Sequence, residues 1–280
     1  MSEKGILYVV STPIGNLQDL SFRALDVLKQ VSEISAEDTR HSLKLLRHFG
    51  VQTPCFSLHD HNESRVVPTI VDKLEKGGSI ALISDAGTPL ISDPGFLLVK
   101  GVVEAGLEVV SVPGPCALIA ALSISGLPAD RFVFEGFLPP KQGQRLKQLA
   151  LFKLEPRTML FYESCHRVVD SVADMRQVFG GDRKAVVVRE ITKLYEAVER
   201  GSLDDLCVIM NEDRRFLKGE YVVLVEGFQL DQDQEWLEAL RVLAVLMAEL
   251  SVSQASKLAS QLTGVSKKRL YQYALEHKQS

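Results

Sequence analysis

Three groups of ionisable residues follow directly on apolar runs, the arrangement expected where a strand ends and a loop begins. Glu37, Asp38 and Arg40 follow VSEISA. An acid–base cluster there can orient a substrate; equally, Asp38 or Thr39 can simply cap the next helix. Tyr162, Glu163, Ser164, His166 and Arg167 follow TMLF. Arg167 with Glu163 suits phosphate or ligand contacts, while Ser164 as a cap and His166 as a solvated histidine is the plainer alternative. Arg189, Glu190, Thr192, Lys193 and Glu196 follow AVVV, and a surface ion-pair network explains them as well as catalysis does. His59, Asp60 and His61 suggest a metal, but strand neighbours point to opposite faces and no third ligand is apparent, so a polar loop and no metal is the expectation.

The loops themselves carry a second signal. STPIGNL, AEDTRH, SLHDH, SDAGTPLISDPG and PGPCA each end one of five successive strand-like runs. In open α/β sheets this carboxyl edge is where ligands bind. Glycine admits close backbone approach and proline fixes the turn, so backbone groups can reach a ligand directly. Plain tight turns are the competing reading. Neither GxGxxG nor GxxxxGK[ST] follows any strand, which disfavours a nicotinamide or nucleoside triphosphate site.

The positioning elements alternate. Strand-like runs at 6–10, 31–36, 53–58, 79–84 and 107–112 are separated by helical patterns at 21–30, 40–49, 64–76 and 96–105. This predicts an α/β domain over 1–126 with a mostly parallel, doubly wound sheet. After SGLPAD the rhythm restarts with RFVFEGF, a basic helix at 141–153, TMLFY, a helix at 166–179, AVVVR, a helix near 203–210 and EYVVLVEG. A second α/β domain with a mixed sheet is expected over 127–228. GFQLDQDQ reads as a linker. Helices at 235–250, 253–262 and 266–277 then form a helix-turn-helix-like segment over 235–280, with TGVS as the turn and Leu258, Leu262, Val265 and Leu270 as its expected core.

Composition bounds the function. The 280 residues are 46% hydrophobic and 24% charged, ordinary for a globular enzyme. Net charge is −4, which argues against coating nucleic acid by bulk electrostatics. The charge is uneven, however. Residues 251–280 hold Lys257, Lys267, Lys268, Arg269 and Lys278 against Glu276 alone, a net +4 that leaves −8 for the remainder. A polyanion-facing tail and a merely solvated helix face both fit this. Cys55, Cys116, Cys165 and Cys207 are widely spaced, indicating neither a zinc site nor a disulfide framework. The five-residue apolar run near the amino terminus is too short for a signal-peptide core, and no run can span a bilayer. No membrane association and a reducing cytoplasm are expected.

STPIGNLQDLSFRAL, AEDTRHSLKLL, SDAGTPLISDPG, VPGPCALIAALSISGL, FEGFLP, FYESCHR and REITKLYE occur in this order. The set resembles the ribosomal RNA small subunit methyltransferase I family, the 2′-O-methyltransferase branch of the tetrapyrrole methylases. The resemblance covers essentially the whole chain. It implies S-adenosyl-L-methionine held between the two α/β domains, a homodimer, and methyl transfer to a cytidine ribose 2′-hydroxyl of 16S rRNA at the decoding centre of the small ribosomal subunit. By motif position it implies cofactor contacts from Pro13, Gly87, Thr88, Ile91, Cys116 and Ala117, with Phe161, Tyr162 and Glu220 from the second domain. Much of the wider superfamily has GDP where this chain has Gly87, Thr88 and Pro89; the nearest acid, Asp85, is therefore a further candidate cofactor contact, though the role of the GDP aspartate cannot be copied onto it. Deprotonating a ribose hydroxyl needs a base within hydrogen-bond reach, for which Glu37, Glu163 and Lys193 are the candidates. Arg40, Arg145, Arg167, Lys267, Lys268 and Arg269 are the candidate RNA contacts, with Tyr271 or Tyr273 able to meet a base. A terminal packing or dimerisation bundle is the alternative for the tail. Two rival functions remain: methylation of a tetrapyrrole or other small molecule, and non-enzymatic RNA binding.

Overall fold

Strands that read as unbroken apolar runs need both faces covered, and the first sheet has that arrangement. The computed structural model describes residues 4–213, 216, 218–229 and 232–277. Strands β1 (Ile6–Val10), β2 (Glu33–Ala36), β3 (Cys55–Ser57), β4 (Ile80–Ile83) and β5 (Glu108–Val112) form a sheet in the order β3-β2-β4-β1-β5. Every pairing within it is parallel. Helices α1 (Phe22–Gln30), α2 (Thr39–His48), α3 (Glu63–Glu75) and α4 (Phe96–Glu104) cover it. One core gathers Leu28, Ile34, Leu46 and Ile83; the other gathers Leu7, Ile70, Leu82 and Leu98. Ser21 caps α1 by accepting from the Ala24 N–H, and Asp38 caps α2 by accepting from the Arg40 N–H. Helix α4 lacks a side-chain cap of its own. The buried Glu63 carboxylate instead accepts the Leu98 N–H at 2.8 Å, anchoring the end of the 84–95 loop to α3.

The second sheet is mixed. Strands β6 (Phe132–Phe137), β7 (Thr158–Ser164), β8 (Lys184–Arg189), β9 (Ala197–Ser202) and β10 (Glu220–Val225) take the order β6-β7-β10-β8-β9. Only β6 and β7 run parallel; β10 is antiparallel to both its neighbours. Edge strand β9 has no sequence expectation behind it, because AVERGS has no apolar run and pairs on one side only. Helices α6 (Gln142–Leu151), α7 (Val168–Phe179) and α8 (Leu203–Glu212) share a core with one face of this sheet. The other face packs on Leu118, Ala121 and Leu122 of α5 (Ala117–Ser125), the helix that follows β5. Both sheets thus belong to one compact unit, Met1–Gly227.

Phe228–Ser280 forms a separate unit of three helices, α9 (Gln232–Met247), α10 (Val252–Thr263) and α11 (Lys267–His277). Ala239, Leu243, Ala255, Ala259, Leu270 and Ala274 form its core. This corrects the expected core: Leu270 is buried and Val265 packs beside it, but Leu258 and Leu262 are exposed. Val252, Ala255 and Ala259 share the inward stripe of α10, and small alanines let the three helices approach closely. Ser251 closes a capping box with Gln254, and Gly264 ends α10 in the left-handed conformation. Lys278 lies outside the described residues.

Candidate functional site

The loops at the carboxyl edge of the first sheet are tied to one another before any ligand is considered. Thr12 and Gly87 exchange two backbone hydrogen bonds, 2.8 and 3.0 Å, joining the loop after β1 to the loop after β4. The Thr88 hydroxyl donates to the Pro115 carbonyl at 3.0 Å and lies 2.8 Å from the Ser11 hydroxyl, which ties in the loop after β5. Asp85 accepts the Asp38 N–H at 3.1 Å, adding the loop after β2. Gly87 has φ +85°, and a Cβ there would lie 3.2 Å from Ile14 Cγ2. A side chain at this position would be both strained and crowded. Four non-glycine residues among those described also have left-handed backbones, namely Leu90, Ser92, Glu190 and Thr192. They occupy the two loops, one from each half, that border the same cavity. Such strain persists where the surroundings over-determine it, commonly at ligand sites.

That cavity has a volume of about 440 Å³ and is walled by the carboxyl-edge loops of the first sheet and by strands and loops of the second. From the first half come Ile14, Glu37, residues 85–88, residues 91–93, Cys116 and Ala117; from the second come Phe137, residues 162–165, Val188, Ile191, Lys193 and residues 219–222. Tyr162 of β7 crosses between halves, its hydroxyl accepting the Leu118 N–H at 3.2 Å in the first turn of α5. Burial pushes the Tyr162 phenol well above its ordinary range.

The three candidate bases all line the cavity, each among different neighbours. Burial raises the Glu37 carboxyl above its ordinary value, and repulsion from Asp93, Asp85 and Asp60 raises it further. Asp93 is raised by burial as well. Glu163 is buried and fully engaged: Oε1 accepts from the Ser164 N–H at 2.8 Å and from Arg167 at 2.7 Å, and Oε2 from the Ser171 hydroxyl at 2.7 Å. These contacts tie its carboxylate into the turn after β7. Lys193 Nζ lies 2.8 Å from both Glu190 and Glu220. Burial opposes its charge, but those two hydrogen bonds outweigh it and hold the ammonium above its usual range. A lysine so held keeps its proton more tightly than usual, which disfavours it as a base.

Of the residues expected to contact a cofactor, Asp85, Gly87, Thr88, Ile91, Cys116, Ala117, Tyr162 and Glu220 line the cavity. Pro13 does not; its neighbour Ile14 takes that wall. Phe161 does not either, because alternate strand residues face opposite ways. It is fully buried in the core on the far side of β7, 6.5 Å from the Phe152 ring. Among the expected RNA contacts, Arg145 is also displaced: it is buried and paired with buried Asp174 at 2.7 Å, so it locks α6 to α7. Arg167 is committed to Glu163 and to the Leu138 carbonyl. Arg40 remains exposed but grips Asp38, which it holds down at about 2. In the separate carboxyl-terminal unit, Lys267 and Lys268 are exposed and Arg269 lies over the Trp236 ring at 4.1 Å. Tyr273 is packed between Trp236 and His277, leaving Tyr271 the more accessible ring. Sequence reasoning missed Phe137, Asp93 and Cys165, although FEGFLP, SDPG and FYESCHR contain them. Among the described residues no group of three His, Cys, Asp or Glu could hold a metal ion.

A parallel sheet whose edge loops close one cavity against a mixed sheet defines a two-sheet α/β architecture with a ligand cleft between its halves. The chain belongs to the tetrapyrrole (corrin/porphyrin) methylase family, whose model matches residues 6–207, and residues 233–278 match the RsmI C-terminal HTH domain. Within that family it is 52% identical to ribosomal RNA small subunit methyltransferase I of Pseudomonas aeruginosa, over 97% of each chain. It is 50% identical to the protein of that name from Escherichia coli O157:H7, over 98% of this chain and 96% of the other. Among solved structures, diphthine synthase superposes with a TM-score of 0.60 at 18% identity, covering 81% of this chain and 92% of that one. Uroporphyrin-III C-methyl transferase from Thermus thermophilus, complexed with S-adenyl homocysteine, gives 0.54 at 18% identity, covering 79% and 97%. These distant structures establish the shared fold.

Proposed function

We propose that this chain methylates the 2′-hydroxyl of a cytidine ribose in 16S rRNA, at the decoding centre of the small ribosomal subunit, with S-adenosyl-L-methionine as methyl donor. The observation that carries the reading is the near-complete alignment with two relatives named as small subunit rRNA methyltransferases, spanning both the cavity-bearing unit and the helical unit. In this reading 1–126 and 127–228 supply the two walls of the cavity, 235–280 binds RNA, and the protein works in the cytoplasm as a homodimer.

The cavity walls fit such a donor. Ile91, Cys116, Ala117, Val188, Ile191 and Val222 make a largely apolar slot suited to a flat heterocycle. Gly87 leaves a cradle that a side chain would fill, and Glu37, Asp85, Asp93 and Glu220 set a negative field suited to a cation. The cofactor supplies a methyl group already activated on a positively charged sulfur. The chain must then position the acceptor and take its proton. Glu37 is the base this geometry favours, since its pKa is raised while Glu163 and Lys193 are engaged by partners. Glu163 and Arg167 hold the turn that carries Ser164 and Cys165 into the wall. Lys193, fixed between two glutamates, holds the loop after β8 against the start of β10 at the cavity wall.

The test is methyl transfer from labelled cofactor to small subunits purified from cells lacking this protein, followed by ribose-methylation mapping. One protected cytidine ribose is expected. Transfer to free tetrapyrrole with none to the subunit would overturn the assignment.

A further inference from the structure

FEGFLP contains a side chain that neither the fold nor the proposed chemistry has used. Strand β6 pairs in parallel with β7, with Phe134 opposite Leu160 and Phe137 opposite Tyr162. Three steps on β6 therefore match two on β7, so β6 contains one extra residue, a β-bulge. Gly136 sits within it at φ +64°, in the left-handed region that glycine tolerates. In a regular strand Phe134 and Phe137 would point to opposite faces. The extra residue turns Phe137 onto the face of Phe134 and Tyr162, and the three rings form a ladder, Phe134 to Tyr162 at 4.8 Å and Tyr162 to Phe137 at 5.6 Å. Its inner members pack against the core, but Phe137 lines the cavity while remaining 53% exposed.

A strand that departs from its register to leave a large apolar ring half in water gains nothing for folding by doing so. Bulges beside active sites commonly serve to re-aim a side chain. We propose that Phe137 is a stacking platform for the base of the target nucleotide, holding it against the cavity so that its ribose enters. This rests on the rRNA reading above and deepens it. The recognition is by a π-face, which every base has, so Phe137 contributes affinity and placement without dictating base identity. The Tyr162 ring behind it, fixed through its hydroxyl to α5, keeps the platform in one orientation.

The experiment compares full-length wild type with Phe137→Ala, Phe137→Leu and Phe137→Tyr on small subunits from cells lacking the protein. It measures KM and kcat, subunit binding at equilibrium, and S-adenosylhomocysteine affinity by calorimetry. The alanine variant should raise KM and weaken subunit binding by about 10- to 100-fold, the range of one lost base–aromatic stack. Its kcat should stay within about threefold of wild type, as expected for a contact made equally in ground and transition states. Tyrosine should restore KM and leucine should not. Circular dichroism and sedimentation should match wild type, since the ring is half exposed. Wild-type KM in Phe137→Ala, or rescue by leucine equal to that by tyrosine, overturns the stacking role. A loss of S-adenosylhomocysteine affinity as large as the loss of subunit binding reassigns the ring to the cofactor. No transfer to these subunits by the wild-type enzyme itself overturns the rRNA reading, and this proposal with it.

Discussion

Replacing Gly87 with valine tests whether the 84–95 loop is a binding wall or an ordinary turn. The backbone there has φ +85° and is tied to Thr12 by two hydrogen bonds, so it cannot relax without breaking the link between the first and fourth loops. A residue with a Cβ in the left-handed region costs roughly 1–2 kcal/mol, and β-branching makes that conformation worse. The new Cβ would also lie 3.2 Å from Ile14 Cγ2, tighter than ordinary contact, before either γ-methyl is placed. Overpacking of this kind adds about 1–3 kcal/mol. The sum, about 2–5 kcal/mol, is below the stability of most domains, so the variant should fold with Tm lowered by roughly 5–15 °C. Its side chain fills the cradle, and cofactor affinity should fall at least about 100-fold, equivalent to ~2.7 kcal/mol. Titration calorimetry below the lowered Tm, with circular dichroism to establish folding, measures both effects. A folded Gly87→Val protein with unchanged affinity for S-adenosyl-L-methionine would refute the loop assignment.

Glu37→Gln should lower kcat by about 10²- to 10⁴-fold, the usual contribution of a general base, measured by single-turnover methyl transfer. Because the folded-state pKa of Glu37 is raised above its ordinary 4.5, the stability of its protonated form is full below that value and is lost as pH rises through the raised pKa. The glutamine variant should therefore be more stable than wild type at pH 7.5 and lose that advantage near pH 4, as read by urea denaturation. Arg145→Ala should destabilise the large unit by about 3–5 kcal/mol, because it strands a buried Asp174 carboxylate, without weakening RNA binding of the folded fraction below its melting point. Replacing Lys267, Lys268 and Arg269 together with alanine should reduce RNA affinity and flatten its salt dependence while leaving cofactor affinity unchanged, as read by filter binding across a salt series. The same variant should cost the helical unit ~0.5–1 kcal/mol from the lost contact of Arg269 with Trp236.

The alternation of strand and helix was legible because parallel strands covered on both faces are unbroken apolar runs, as in ILYVV and IALI. The cavity loops were legible for a related reason: glycine and proline clustered after such runs have few other uses. What stayed hidden was direction and pairing. Nothing in TMLFYES states which alternate residues face the cavity, so Tyr162 and Phe161 were indistinguishable until the sheet existed. A basic residue reads the same whether solvated or buried, and only the approach of α7 reveals that Arg145 is bound to Asp174. Likewise the protonation states of Glu37 and Lys193 depend on Asp93, Glu190 and Glu220, partners that folding alone brings close. The bulge in β6 leaves only Gly136 as its trace.

Strand β10 is the last of the second sheet to leave the ribosome, yet it belongs in the middle, between β7 and β8. Until it inserts, β7 and β8 each present an unpaired edge with apolar side chains on both faces, the form most open to intermolecular pairing. A nascent chain halted before residue 220 therefore holds most of its core residues without a closed sheet, and such fragments should require chaperone protection. The same late strand brings Glu220, Tyr221 and Val222 into the cavity wall. Ligand binding thus cannot begin on a partly synthesised chain, and a bound ligand would act as a clamp on the step that completes folding.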